Sequence, residues 1–364
     1  MYLDNASTTP LKPEVKEHII SILDIWGNPS SLHSVGRESK KLIKTARENV
    51  AKFINANLNE SDILFTPSGS ASNTLALKAL DSYVALYSPS VHKSMMLACQ
   101  SLEFSEELPV DNEGSIDLKS LDRKLKKWYK PLVCIDGASS EIGTIQDIKA
   151  IADITHKNNG VLICDLTGYI PYLPVDVQKL DIDIATFSGH KLGATKGVGV
   201  LYKKKNIELK PIVYGTQELG LIGGTENIIG ISALGKAVEV HDYDAISHTN
   251  ANYMLKRLLK ADDIYLVGSK ENRLPTNLYI CFKGVEGESL LLLLDLKDVQ
   301  VSTGSACNSQ SLVPSHILEA INMPKEDIHS CVRITLNGTE SEKDLDEACV
   351  SILQSVSQLR VLRV

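Results

Sequence analysis

The chain has no surplus of positive charge, no paired cysteine motif and no long apolar run, and each absence removes a class of protein. Lysine and arginine number 38 against 45 aspartates and glutamates, a formal charge of −7. That balance gives no support to a general polyanion-binding surface, so direct nucleic-acid contact is not expected. The seven cysteines (Cys99, Cys134, Cys164, Cys281, Cys307, Cys331 and Cys349) are odd in number and form no C-x-x-C pair. They therefore argue against a disulfide framework or a zinc cluster, and no metal is expected. No apolar stretch reaches the ~18 residues of a membrane span, and Met1 to Pro10 lacks a charged and then apolar leader. The expectation is no membrane contact and a cytoplasmic location. There is also no internal repeat, no low-complexity tract and no long linker. At 364 residues the chain suits a large core domain with a smaller companion.

What is present is an alternation of strand and helix signals. Val161–Cys164 and Ile184–Phe187 are apolar runs rich in β-branched residues and read as buried strands, each ending on a polar group. Those groups are Asp165 and, after the turn Ser188-Gly189-His190, Lys191. Ile63–Thr66, Tyr83–Leu86 and Leu132–Ile135 read as further strands. Helices are expected from Pro13, from a Ser34 cap through the stripe Leu42, Ile43, Ala46, Val50 and Phe53, from Ile148 and from Ile231. Gly197 and Gly199 suggest a tight turn into a strand, and Lys203–Lys205 a basic surface run. The alternation favours an α/β fold: a mainly parallel sheet flanked by helices, with ligands at the carboxyl ends of its strands. Residues 15–245 are expected to form the large domain. Residues 1–14 and 246–364 are expected to form a smaller α+β domain.

Several short stretches carry chemistry. A lysine in a Ser/Gly/His turn, with an aspartate ending a nearby strand, suits pyridoxal 5'-phosphate: the amine holds the aldehyde and the carboxylate keeps the ring nitrogen protonated. A lone lysine after a strand is more often a solvated surface residue, and here the neighbouring turn speaks for the cofactor. Ser68–Thr74, S-G-S-A-S-N-T, lies at a strand-to-helix junction and offers an anion cradle, although many such turns only cap helices. His92 is placed to stack on a flat cofactor or carry protons, although a loop histidine is more often incidental. Cys134, Cys164 and Cys281 lie in apolar runs and read as small buried hydrophobes. Cys307 differs, with Thr303, Gly304, Ser305, Asn308 and Ser309 around it.

Together these stretches resemble the cysteine desulfurases, class V members of the fold type I pyridoxal phosphate transferases. The resemblance rests on Y-L-D-N-A-S-T-T-P, G-N-P-S-S, F-T-P-S-G-S-A-S-N-T, E-I-G-T-I-Q-D-I, S-G-H-K, G-G-T-E-N, V-E-G-E-S-L and S-T-G-S-A-C, in family order over nearly the whole chain. It implies that Lys191 holds the cofactor, Asp165 pairs with the pyridine nitrogen, and His92 lies over the ring. Gly69, Ser70, Ser188 and His190 would hold the phosphate, completed by Thr225 from the other subunit of a homodimer. Arg333 would grip the substrate carboxylate. Cys307 would take sulfur from L-cysteine as a persulfide, leaving L-alanine, with His92 the first candidate to accept the thiol proton. The stretch 302–320 resembles the longer-looped group, which passes sulfur to an acceptor protein, an iron-sulfur scaffold or a tRNA-thiolating enzyme.

The chain departs from the family around the cofactor ring. V-N-N-E is replaced by A-S-S-E, which puts Ser140 where the family has an asparagine beside the cofactor and substrate. D-A-T-Q is replaced by D-L-T-G, which puts Gly168 where the family has a glutamine. Ala71, Leu219 and Ile222 replace a carboxylate and two arginines. Three readings follow: a working desulfurase, a cofactor-binding paralogue that is inactive or partner-activated, and another class V lyase or aminotransferase. Retained Cys307 speaks against the last, and retained Lys191, Asp165, His92 and Arg333 against the second.

Overall fold

The computed structural model describes residues 1–78, 84–304 and 315–362. Its first seven strands are β1 (Ser61–Thr66), β2 (Ala85–Tyr87), β3 (Ser105–Glu107), β4 (Leu132–Asp136), β5 (Val161–Asp165), β6 (Ile184–Ser188) and β7 (Gly199–Lys204). They form one sheet in the order β1-β7-β6-β5-β4-β2-β3, with β7 antiparallel to both its neighbours and the remaining pairs parallel. Both faces are covered by apolar clusters. That explains why β4, β5 and β6 read as unbroken apolar runs rather than alternating ones. A second sheet, in the order β10-β9-β8, is antiparallel throughout and built from β8 (Ile264–Leu266), β9 (Asn277–Phe282) and β10 (Cys331–Thr335).

This topology sets the site. Because β4, β5 and β6 run parallel, their last residues, Asp136, Asp165 and Ser188, emerge along one edge. The polar groups that close three apolar runs in the sequence thus become neighbours. The N-terminus reaches the second sheet: Leu3 N–H donates to the Gln300 carbonyl at 2.8 Å and Leu3 O accepts from Thr335 N–H at 2.7 Å.

Several sequence expectations are corrected. The helix Ser34–Phe53 is capped by His33, not Ser34: His33 is extended and its Nδ1 accepts from Gly36 N–H at 3.3 Å. The helix expected from Pro13 runs to Ile22. The strand expected at Tyr83–Leu86 is Ala85–Tyr87, and Tyr83, like Leu80, lies outside the described residues. The helix expected from Ile231 begins at Ile228, because Asn227 caps it through Gly230 N–H at 3.0 Å. It crosses Ser34–Phe53 closely, and a Cβ on Gly235 would stand 2.6 Å from Ala46. The basic run is a surface feature only at Lys205: Lys203 is buried and paired with Asp62 at 2.7 Å, and the half-buried Lys204 bridges Asp181 and Asp183.

Candidate active site

A cleft of about 640 Å³ opens at the carboxyl edge of the large sheet. Its lining brings together Gly69, Ser70, His92, Ser140, Asp165, Ser188, His190, Lys191 and Arg333, nine of the eleven expected site residues. Thr225 is exposed and does not line it. Cys307 lies outside the described residues, but Gly304 and Ser315, which flank that stretch, both line the cleft.

Asp165 is buried and doubly held. Its Oδ2 accepts from Asn73 Nδ2 at 2.8 Å and its Oδ1 from Thr167 N–H at 2.9 Å. Asn73 in turn accepts from the Thr186 hydroxyl and donates to Ser94 Oγ at 3.1 Å. Ser94 lies 2.8 Å from His92 Nδ1, which also accepts Ser94 N–H at 3.2 Å as the cap of the helix Lys93–Gln100. Accepting at Nδ1 places the proton of the neutral imidazole on Nε2. Loss of hydration lowers the His92 pKa; Asp165 raises it, and Lys191 and His316 lower it further.

Lys191 ends a short turn, Gly189–Lys191, directly after β6. Glycine is required there: Gly189 N–H donates to Val198 O at 3.0 Å, and a Cβ would stand 2.8 Å from the Val198 side chain. His190 is fixed from the N-terminal segment, its Nδ1 3.1 Å from Thr8 Oγ1 and its carbonyl accepting from Thr9 N–H at 3.0 Å. Burial, and then Lys191 and Lys196, push its pKa down to about 4, so it is neutral near pH 7.

Arg333 is buried in β10. Its Nη2 contacts Asp4 at 2.9 Å and Ser7 Oγ at 2.6 Å, and its Nη1 donates to Ser140 O at 3.2 Å. Its Nε has no hydrogen-bond partner among the described residues.

The structure adds residues that the sequence reading passed over. Asn73, the partner of Asp165, lies one helical turn after Gly69. Asp136 pairs in register with Asp165 and lines the cleft. Burial raises its pKa to about 7, against the hydrogen bond from Ser90 at 3.0 Å. Glu141, also lining the cleft, is raised by burial, with Ser315, His316 and Arg333 opposing. The available signal was a polar residue closing an apolar run, which was used for Asp165 but not for Asp136.

At Ser140 and Gly168 the site is bare. A Cβ on Gly168 would stand 2.7 Å from the Ala138 carbonyl oxygen and 3.3 Å from Ser140 Cβ. Beside them, Asn277 Oδ1 is buried without a hydrogen-bond partner among the described residues. A void of about 10 Å³ there is bounded by Ser140, Gly168, Tyr172, Lys191 and Asn277.

The residues fit pyridoxal phosphate. The Ser188 hydroxyl is buried without a partner among the described residues, as a group awaiting an anion would be. It faces the start of the helix Gly69–Lys78, where a Cβ on Gly69 would stand 3.2 Å from Ser188 Cβ. Unpaired N–H groups and the helix dipole favour a phosphate at such a place.

The family model described as aminotransferase class-V matches residues 1–347, and enzymes of this class carry pyridoxal phosphate. The cysteine desulfurase IscS of Dictyoglomus turgidum is 37% identical, covering 100% of this chain and 96% of its own. That of Methanosarcina thermophila is 36% identical, covering 99% and 93%. Among solved structures, a NifS-like protein from Rickettsia africae superposes with a TM-score of 0.92 at 30% identity, covering 98% of this chain and 99% of its own. A structure described as SspA in complex with cysteine superposes with a TM-score of 0.80 at 29% identity, covering 93% and 99%. The chain belongs to the cysteine desulfurase family and has the fold type I architecture.

Proposed function

We propose that the chain removes sulfur from L-cysteine, releasing L-alanine and leaving a persulfide on Cys307 for an acceptor protein. The observation that carries this reading is the convergence of Lys191, Asp165 and the Ser188 hydroxyl, unpartnered among the described residues, on one cleft. Lys191 holds the cofactor aldehyde, Asp165 the ring nitrogen, and Gly69, Ser70, Ser188 and His190 the phosphate. When bound, the cofactor withdraws electrons from the substrate Cα and so makes its proton acidic.

The remaining work falls to the chain. Lys191 Nζ takes the Cα proton. Arg333 holds the substrate carboxylate, with its other edge tied to Asp4 and Ser7. His92 meets the cleft as a donor through Nε2, so accepting the Cys307 proton at Nδ1 requires release of Ser94. The Cys307 thiolate attacks the substrate sulfur and the Cβ–S bond breaks; its electron pair stays on the three-carbon skeleton, which is protonated to L-alanine, and the sulfur stays as Cys307–S–SH.

Thr225, exposed and away from this cleft, fits completion of a partner subunit's phosphate cup in a homodimer. The tie of Leu3 and Asp4 to β10 supports grouping residues 1–14 with 246–364 as the small domain and 15–245 as the large one. An iron-sulfur scaffold or a tRNA-thiolating enzyme is the acceptor class, in the cytoplasm. No helix among the described residues is long and apolar enough to cross a membrane. The bare surroundings of Ser140 and Gly168 favour one second reading, a desulfurase that needs a partner for full rate.

The test is single-turnover release of alanine and sulfide from L-cysteine with dithiothreitol, native chain against Cys307→Ala. Alanine abolished in the variant is the expected result, and equal alanine from both would remove Cys307 from the reaction. The holoprotein should absorb near ~420 nm, and Lys191→Ala should lose that band.

A further inference from the structure

Cys281 and Cys331 are buried thiols that the proposed reaction does not use. They stand directly opposite each other on β9 and β10. Phe282 N–H donates to Ser330 O at 2.8 Å, so 282 and 330 are a hydrogen-bonded pair. The next pair along, 281 and 331, is therefore non-hydrogen-bonded. In such pairs the Cα atoms approach to about 4.5 Å with both side chains on one face, within the roughly 4.4–6.8 Å that a disulfide bridges. The two sulfurs sit beneath one carbonyl: Asp327 O lies 3.5 Å from Cys331 Sγ and 3.8 Å from Cys281 Sγ. Tyr265 stands in register with Cys281 across β8 and β9 and extends the row.

The environment separates the two thiols. The hydrogen bond from Cys331 outweighs burial and, with one from Tyr265, lowers the Cys281 pKa, while the Cys331 pKa is raised. Cys281 is the easier of the two to deprotonate, and in the resting structure both thiols face the Asp327 carbonyl oxygen. The covering segment is thin. Met323 Sδ lies 3.8 Å from Cys331 Sγ, and the helix Lys325–Ile328 is a single turn, the kind of element that opens locally.

We infer that Cys281 and Cys331 are a reversible redox pair that a peroxide closes into a disulfide within the folded protein. The Cys281 thiolate attacks a peroxide oxygen and the O–O bond breaks. The departing hydroxide takes the proton that Cys281 gave up, which leaves one water and a sulfenic acid. Cys331 then attacks that sulfur. The S–O bond breaks, the S–S bond forms, and the Cys331 proton leaves with the oxygen as a second water. Two thiols lose two electrons and the peroxide gains them.

The bond would act on the site through β10. Cys331 and Arg333 are two residues apart and so share a face, as do Tyr279 and Cys281 on β9. The Tyr279 hydroxyl donates to Thr303 O at 3.1 Å. The usual disulfide Cα separation of roughly 5.5–6 Å exceeds the about 4.5 Å of such a pair, so closing the bond spreads the strands at this row, displaces Arg333 and weakens its grip on a carboxylate, a consequence that rests on the role proposed for Arg333 above.

The experiment uses holoprotein carrying Cys307→Ala, so that the sulfur-accepting thiol consumes no oxidant. It is treated with hydrogen peroxide, alkylated and mapped by peptide mass spectrometry. L-alanine binding is followed in parallel through the cofactor absorbance. The expected result is a linked 281–331 peptide that dithiothreitol reverses and Cys281→Ser abolishes. Alanine affinity should fall several-fold on oxidation, recover with dithiothreitol and stay unchanged by peroxide in Cys281→Ser. Both cysteines remaining as thiols, or Cys281 passing to sulfinic acid without linkage, would overturn the pair. A linked peptide with unchanged alanine affinity would overturn the coupling to Arg333. Absence of alanine binding before oxidation would overturn the role of Arg333 itself, and the peptide map would still decide the pair.

Discussion

The two flanks of the cleft are built to different standards. On the Asp165 flank, both carboxylate oxygens are paired, and the chain of contacts runs through Asn73 to Thr186 and through Ser94 to His92. On the Ser140–Gly168 flank there is backbone, a void of about 10 Å³ and an Asn277 oxygen without a partner among the described residues. A satisfied buried network over-determines its members, whereas a stripped one leaves their positions to backbone packing. The comparison teaches that the residues expected to hold the cofactor nitrogen are built for rigidity. The residues nearest the departures from the family are built for close approach of main chain.

Asp165→Asn tests the first flank most severely. It keeps the size and removes the charge, and desulfuration should fall on the order of 10²-fold or more, by analogy with loss of one preorganised electrostatic group. Steady-state alanine release measures it, and a loss below ten-fold would mean that the ring nitrogen is held by something else. Arg333→Lys comes next. A lysine cannot reproduce a fork already bound to Asp4, Ser7 and Ser140, so the KM for L-cysteine should rise about ten-fold, or ~1.4 kcal/mol, with kcat less affected. A fall in kcat at constant KM would assign Arg333 to the chemical step instead.

On the bare flank, Gly168→Ala should destabilise the protein by about 1–3 kcal/mol, because the atom in its way is a backbone oxygen that cannot rotate aside. Thermal unfolding of the holoprotein reads this, and an unchanged Tm would show that the flank yields. The smallest effect concerns Asp136. Its pKa of about 7 lies above the value of an unfolded aspartate. Between roughly pH 4 and 7 the folded chain therefore binds more protons than the unfolded one, and stability falls as pH rises through that window. Asp136→Asn should flatten that slope in denaturant titrations, and an unaltered slope would place the titration elsewhere.

The mainly parallel sheet and most of the cleft were legible because β4, β5 and β6 are apolar runs closed by polar residues, which is a one-dimensional signal. Asn73 was not legible, since its value depends on one helical turn bringing it against Asp165, 92 residues further along the chain. Lys203 read as surface because three lysines in a row suggest solvent. Its buried pairing with Asp62 arises from a register between β1 and β7 that no local pattern announces. The cap at His33 was missed for a simpler reason: a good capping residue, Ser34, stood beside it and drew the boundary to itself, whereas the helix capped by Asn227 was begun at the apolar Ile231, three residues inside it.

The tight contact at Gly168 also has a historical meaning. A side chain at this position carries a cost from the start, because the obstacle is the main chain at Ala138, which is present whatever side chains surround it. Shifting the 138–140 segment first and replacing the glycine second would lower that cost for a lineage regaining the family's glutamine. Any recovered side-chain amide beside the ring is therefore easier to reach from Ser140, whose side chain already lines the cleft.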